Sequence, residues 1–74
     1  MSVDPDSPDY IWQQVADLIA ERIRKGVYKA RIPSESSLAQ EFGIGRNTVR
    51  HAIDELRRRE LVITVPQRGT FVKR

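Results

Sequence analysis

Apolar residues recur along this chain with two different periods, and the change between them divides it into a helical part and a strand part. Ile11, Val15, Leu18, Ile19 and Ile23 follow the i, i+4, i+7, i+8 spacing of one buried helical stripe. Ser7-Pro8 has the form of a helix start, with Ser7 as N-cap and Pro8 in the first helical position, where a missing N–H is no loss. Arg22, Arg24 and Lys25 suit the negative end of that helix, and Gly26 supplies its stop. A second, shorter helix is predicted from Pro33-Ser34, with Ser34 as cap and Glu35 at the positive end of the dipole. Its Leu38, Ala39 and Phe42 face inward, and Gly43 ends it. Ile44 plugs the turn into a third helix, from Gly45 or Arg46 to Arg59, with Val49, Ala52, Ile53 and Leu56 on one face. Val27 to Ile32 connects the first two helices and has room for a short strand.

From Leu61 the pattern becomes β-branched. Leu61 to Val65 and Thr70 to Val72 read as two strands, joined by the turn residues Pro66-Gln67-Arg68-Gly69. The order is helix, helix, helix, hairpin: a mainly α domain with a small β hairpin. Residues 1–7 read as a disordered lead-in, and residues 8–74 as the domain.

Composition narrows the function. A 74-residue chain has room for one small core. It has no cysteine, which excludes disulfides and thiolate metal sites and fits a cytoplasmic location. His51 is the only histidine, so no metal or other cofactor is expected. The longest aliphatic run, Leu61-Val62-Ile63, is far too short for a membrane span. Charge is distributed unevenly. Residues 1–21 hold five acids and no base, whereas the other 53 residues hold all 13 bases against five acids, a net +8. Ten of the bases are Arg, whose planar fork matches phosphate and guanine. An anionic partner for the later part of the chain follows, although a solvated charged surface accounts for composition alone equally well.

The residues from Ser34 to Arg50 carry the chemistry. Two short helices meeting at a tight turn present the first turn of the second, with Arg46, Asn47, Thr48 and Arg50, away from the Val49–Ile53–Leu56 stripe. Arg bonds guanine O6 and N7 in bidentate fashion and Asn does so for adenine, while Thr48 suits a phosphate or a thymine methyl. A wet amphipathic face is the plain alternative. Ser34 and Ser36 stand at an end of the second helix that suits a phosphate, or Ser34 only caps it. Gln67, Arg68 and Gly69 form the hairpin tip, which fits a minor groove or is simply an exposed turn. Arg57, Arg58 and Arg59 spread over too wide an arc to face one strand together. Tyr28 and Phe42 read as core or core edge. Trp12 lies off the main stripe of the first helix, and an exposed Trp12 would point to a protein contact. His51 reads as a surface or phosphate-facing residue.

Gly26-Val27-Tyr28, then IPSESSLAQEFGIGRNTVRHAIDELRRRELV over 32–62, then RGTFV over 68–72, resemble the winged helix-turn-helix domain of GntR-family bacterial transcription regulators. The resemblance covers residues 8–73 and implies three helices plus a wing. It implies a sequence-specific regulator of double-stranded DNA, a repressor acting by promoter occlusion, with two copies on a pseudo-palindromic operator. The chain departs from the family pattern in several places. The link from Tyr28 to Pro33 is two residues shorter and lacks the usual Pro-Gly. Gly45 replaces a Ser or Thr, and Glu60 and Gln67 each stand where the pattern has Gly. Ser36 lies where many relatives carry a basic contact residue. The family's C-terminal domain for effector binding and dimerisation is not represented, so no small-molecule effector is expected of this chain. A protein-interaction adaptor on the same fold is the competing function. An enzyme finds no support: no nucleophile–base arrangement, metal cluster or phosphate loop is visible.

Overall fold

The computed structural model describes residues 10–73. Its elements are α1 (Ile11–Arg24), α2 (Glu35–Phe42), α3 (Arg46–Arg58), β1 (Val62–Val65) and β2 (Gly69–Val72). The core is a single cluster in which Val15, Ala16 and Ile19 of α1 meet Leu38 of α2 and Val49, Ala52, Ile53 and Leu56 of α3, closed by Ile32 and Val62.

Two expectations for α1 need correction. The helix opens at Ile11 rather than Pro8, because Tyr10 is extended (φ −63°, ψ 144°) and serves as an N-cap without a side-chain bond. The cap assigned to Ser7 lies outside the described residues. The Tyr10 and Trp12 rings lie 6.1 Å apart and 9° from parallel. The buried stripe is also rotated. Ala16 is fully buried and Trp12 packs against the core, whereas Leu18 is only half-buried and lies about 100° round the helix from Ile19.

The shorter helices follow their local chemistry. Ser34 Oγ accepts the Ser37 N–H at 3.1 Å, satisfying one of the orphan donors of α2. Gly45 caps α3 without a side-chain bond. Both α1 and α3 end in the same pair of hydrogen bonds. After α1, Gly26 N–H reaches Ile23 O and Val27 N–H reaches Arg22 O; after α3, Glu60 N–H reaches Arg57 O and Leu61 N–H reaches Leu56 O. This closing motif places its pivotal residue in the left-handed region, where glycine is at ease. Gly26 has φ 79° and Glu60 has φ 62°.

β1 and β2 pair antiparallel, with Val62 opposite Val72 and Val65 opposite Gly69. Arg68 N–H bonds Val65 O at 3.0 Å across the tip. Pro66 followed by Gln67 at φ 64° is the type II pattern, which again prefers Gly at its second central position. The strand anticipated in the link is reduced to one bridge, Arg31 to Phe71. Ile32 N–H to Thr70 O and Val72 N–H to Ala30 O tie the link to β2.

Glu60 and Gln67, the two residues that replace family glycines, are therefore the two non-glycine residues held at positive φ among those described. Glu60→Gly should raise stability by about 0.5–1 kcal/mol, since relief of the left-handed strain outweighs the entropy glycine adds to the unfolded chain. A thermal melt reads this directly, and an unchanged or lower Tm contradicts it.

Candidate nucleic-acid interface

The stripe that buries Val49, Ala52, Ile53 and Leu56 turns the opposite side of α3 to solvent. Arg46, Asn47 and Arg50 are exposed there, and Thr48 is half-buried beside them. Arg50 is not free. Its Nε donates to Glu35 Oε1 at 3.3 Å, and its Nη1 lies 3.5 Å from Asn47 Oδ1. Glu35 thus joins the first turn of α2 to the second turn of α3. The sequence assigned Glu35 to the helix dipole alone, because nothing local signals a partner fifteen residues on.

Ser34 and Ser36 are exposed at the N-terminus of α2, but the Ser34 hydroxyl is already engaged with Ser37 N–H and Ser37 Oγ, both at 3.1 Å. Only Ser36 keeps an uncommitted hydroxyl among the site serines. The hairpin tip, with Gln67, Arg68 and Gly69, is exposed. Between it and the start of α2 lies an open groove of about 510 Å³, bordered by Pro33, Ser34, Ser36, Thr64, Thr70 and Arg68. Arg31, which sequence inspection did not single out, also lines this groove and donates through Nη2 to Arg68 O at 2.8 Å.

The remaining basic residues sort themselves by partner. Arg22 joins Glu41 and donates to the Tyr28 hydroxyl at 2.6 Å, with its guanidinium 5.1 Å from the Phe42 ring centroid. Tyr28 and Phe42 are therefore core-edge residues, as expected, and Arg22 fastens α1 to α2. Arg24 and Lys25 pair with Glu21, and Lys73 pairs with Glu60. The three consecutive arginines are structural too. Arg57 joins Asp54 and donates to Thr64 Oγ1 at 2.8 Å, Arg58 grips Glu55 through Nε and Nη2, and Arg59 bridges Glu55 and Asp17 at 2.7 and 2.9 Å. Among the described residues, the Lys and Arg side chains without a carboxylate partner are Lys29, Arg31, Arg46 and Arg68. Uncompensated positive charge is thus left on the link, the wing and the exposed start of α3.

The aromatic residues do not form a base-stacking platform. Trp12 is half-buried, and its ring lies 4.1 Å from that of His51 at 17°. One face of His51 is therefore covered by Trp12, and the exposed tryptophan that would mark a protein contact is not found. Among the described residues, no group of three or more metal-ligating side chains assembles and no helix is long and apolar enough to cross a membrane.

Residues 11–72 match the family model described as bacterial regulatory proteins, gntR family. The chain is 44% identical over 66 residues to an HTH-type transcriptional regulator of Rhizobium meliloti (strain 1021), a match covering 86% of this chain and 27% of that protein. It is 38% identical over 65 residues to the mannosyl-D-glycerate transport/metabolism system repressor MngR of Escherichia coli (strain K12), covering 85% of this chain and 27% of MngR. The DNA-binding domain of AraR, solved in complex with operator ORX1, superimposes with a TM-score of 0.82 at 33% identity, covering 97% of this chain and 95% of that one. The fold is a winged helix-turn-helix, and the chain belongs to the GntR family of bacterial regulatory proteins. It spans about a quarter of the length of these two curated relatives.

Glu55 offers a test of which arginines are structural. It is only 9% exposed, and hydrogen bonds from Arg58 first and Arg59 second overcome its burial and hold its pKa at about 2. A carboxylate depressed in the folded state contributes stability that is full above its unfolded pKa and is lost as pH falls through the folded value. Denaturant melts should therefore show Glu55→Gln less stable than wild type at pH 7, with the gap closing between about pH 4.5 and 2. A gap that is constant down to pH 2 would place the effect in packing and not in the ion pairs.

Proposed function

We propose that this chain is the DNA-reading module of a transcription regulator, acting as a repressor that occupies a promoter operator. The N-terminal turn of α3 enters the major groove. Arg46 and Arg50 bond guanine edges, Asn47 an adenine, and Thr48 a phosphate or a thymine methyl. Ser36 and the backbone N–H groups at the start of α2, capped by Ser34, take a phosphate and fix the register. The wing lays Gln67, Arg68 and the Gly69 backbone along the adjacent minor groove. One module of this size covers limited surface, so two copies share a pseudo-palindromic site. Residues 8–74 form the functional unit, and it works in the bacterial cytoplasm.

The observation that carries this proposal is the placement of uncompensated charge. Eight described Lys and Arg side chains are paired with carboxylates. Arg46 and Arg68 are not, and both belong to the elements proposed to touch DNA. Arg50 is the exception, paired with Glu35 through Nε and within 3.5 Å of Asn47 through Nη1, but it stays exposed and keeps further N–H donors for a guanine. The MngR repressor and the operator-bound AraR domain support the assignment by similarity.

Arg46→Ala and Arg50→Ala should each weaken binding to the cognate duplex by about 1–3 kcal/mol with little change in Tm, because both side chains are exposed. Affinity should also fall steeply with salt, by about 0.9 logarithmic units per phosphate contact and decade of salt. Titrations by fluorescence anisotropy at several salt concentrations measure both. Full affinity in the two variants, or binding indifferent to salt, would remove these residues from the readout.

A further inference from the structure

The wing is poorly secured by its own hydrogen bonds. Its two strands are four residues each, and an isolated hairpin of that length is marginal in water. Its tip is closed by the Arg68 N–H to Val65 O bond and carries Gln67 in a strained left-handed conformation. Contacts from outside the hairpin reach it as well: Arg57 of α3 donates to Thr64 Oγ1 in β1, and the link between α1 and α2 reaches the tip itself.

Arg31 lies beside β2, bridged to Phe71. Its guanidinium carbon stands 5.2 Å from the centroid of the Phe71 ring, and Nη2 donates to Arg68 O at 2.8 Å. A Cβ added to Gly69 would sit 3.6 Å from Arg31 Nε, an ordinary van der Waals distance, so the guanidinium lies against Gly69 without depending on its bare backbone. Backbone bonds on either side, Ile32 N–H to Thr70 O at 3.0 Å and Val72 N–H to Ala30 O at 2.7 Å, fix the link against β2. Arg31 thus lays its planar face near a ring and gives one N–H to a backbone carbonyl, with no carboxylate of the described residues within 4.0 Å.

We infer that Arg31 is a positioning residue for the wing: it aims the Arg68 side chain into the minor groove without itself contacting DNA. The inference rests on the proposed minor-groove role of Arg68. A lysine at position 31 keeps the charge but lacks the planar fork that stacks on Phe71 while reaching the Arg68 carbonyl. Charge and placement can therefore be separated.

The test uses the duplex selected by this chain from random DNA, prepared with either A·T or G·C flanks where the wing lies. Affinity, salt slope and flank preference are measured for wild type, Arg68→Ala, Arg31→Ala, Arg31→Lys and the Arg31→Ala/Arg68→Ala double variant. Arg68→Ala should lose affinity on the order of tenfold and abolish the preference for A·T flanks. Arg31→Ala and Arg31→Lys should reproduce most of that loss, and the double variant should bind no more weakly than Arg68→Ala alone. Independent, additive losses with a salt slope reduced by about one contact would instead make Arg31 a phosphate ligand and overturn the inference. Full recovery by Arg31→Lys, or an intact flank preference in both Arg31 variants, would overturn it as well. If Arg68→Ala changes neither affinity nor flank preference, the wing's proposed role fails first and this inference falls with it. Because residue 31 is exposed, Arg31→Lys is expected to melt like wild type, which separates misaiming from misfolding.

Discussion

One apolar stripe governs the domain. Val49, Ala52, Ile53 and Leu56 seat α3 against α1 and α2, and all four are buried. The helical period then leaves no choice about the other side: with that stripe inward, Arg46, Asn47 and Arg50 must face water. A small protein has few ways to hold polar side chains out rigidly, and here the rigidity comes from what is packed behind them. Ile32 and Val62 close the same cluster, so the link and the wing are hung from the core that orients α3.

Around that core the charged residues divide by task. Arg22, joined to Glu41 and Tyr28, fastens α1 to α2, and Arg59, joined to Glu55 and Asp17, fastens α1 to α3. Arg57 reaches Thr64 and connects α3 to the wing. These are arginines of the scaffold, and their charge is answered within the molecule. The arginines left unanswered by carboxylates are those on the wing, the link and the opening of α3. Arg50 stands between the two groups, since Glu35 holds its Nε while the side chain stays exposed.

Most of the architecture was legible in the sequence because its signals are local. Ser34 caps α2, Gly26 and Gly43 end α1 and α2, and the β-branched run after Leu61 forms the hairpin. The departures have physical causes that no local window contains. Tyr10 is the extended N-cap of α1 and stacks on Trp12, which in turn stacks on His51 of another helix. Leu18 is only half-buried, and Ala16 takes the core place instead. On the candidate face, the exposure of Arg46, Asn47 and Arg50 could be anticipated from helical spacing, whereas the contacts of Glu35 and Arg31 could not. Their partners, Arg50 and the Arg68 carbonyl, lie 15 and 37 residues away. The replaced glycines at 60 and 67 were visible as departures from the family pattern, but only the backbone angles show that the glycine conformation was kept.

The central claim is that the outward face of α3 reads base identity. Selection of bound duplexes from a random pool, carried through several rounds with this chain, tests it most directly. The account predicts convergence on an inverted repeat whose half-sites present guanines to the major groove. A final pool with the same sequence composition as the starting one, despite measurable binding, would show that the chain grips the backbone alone and would contradict the account.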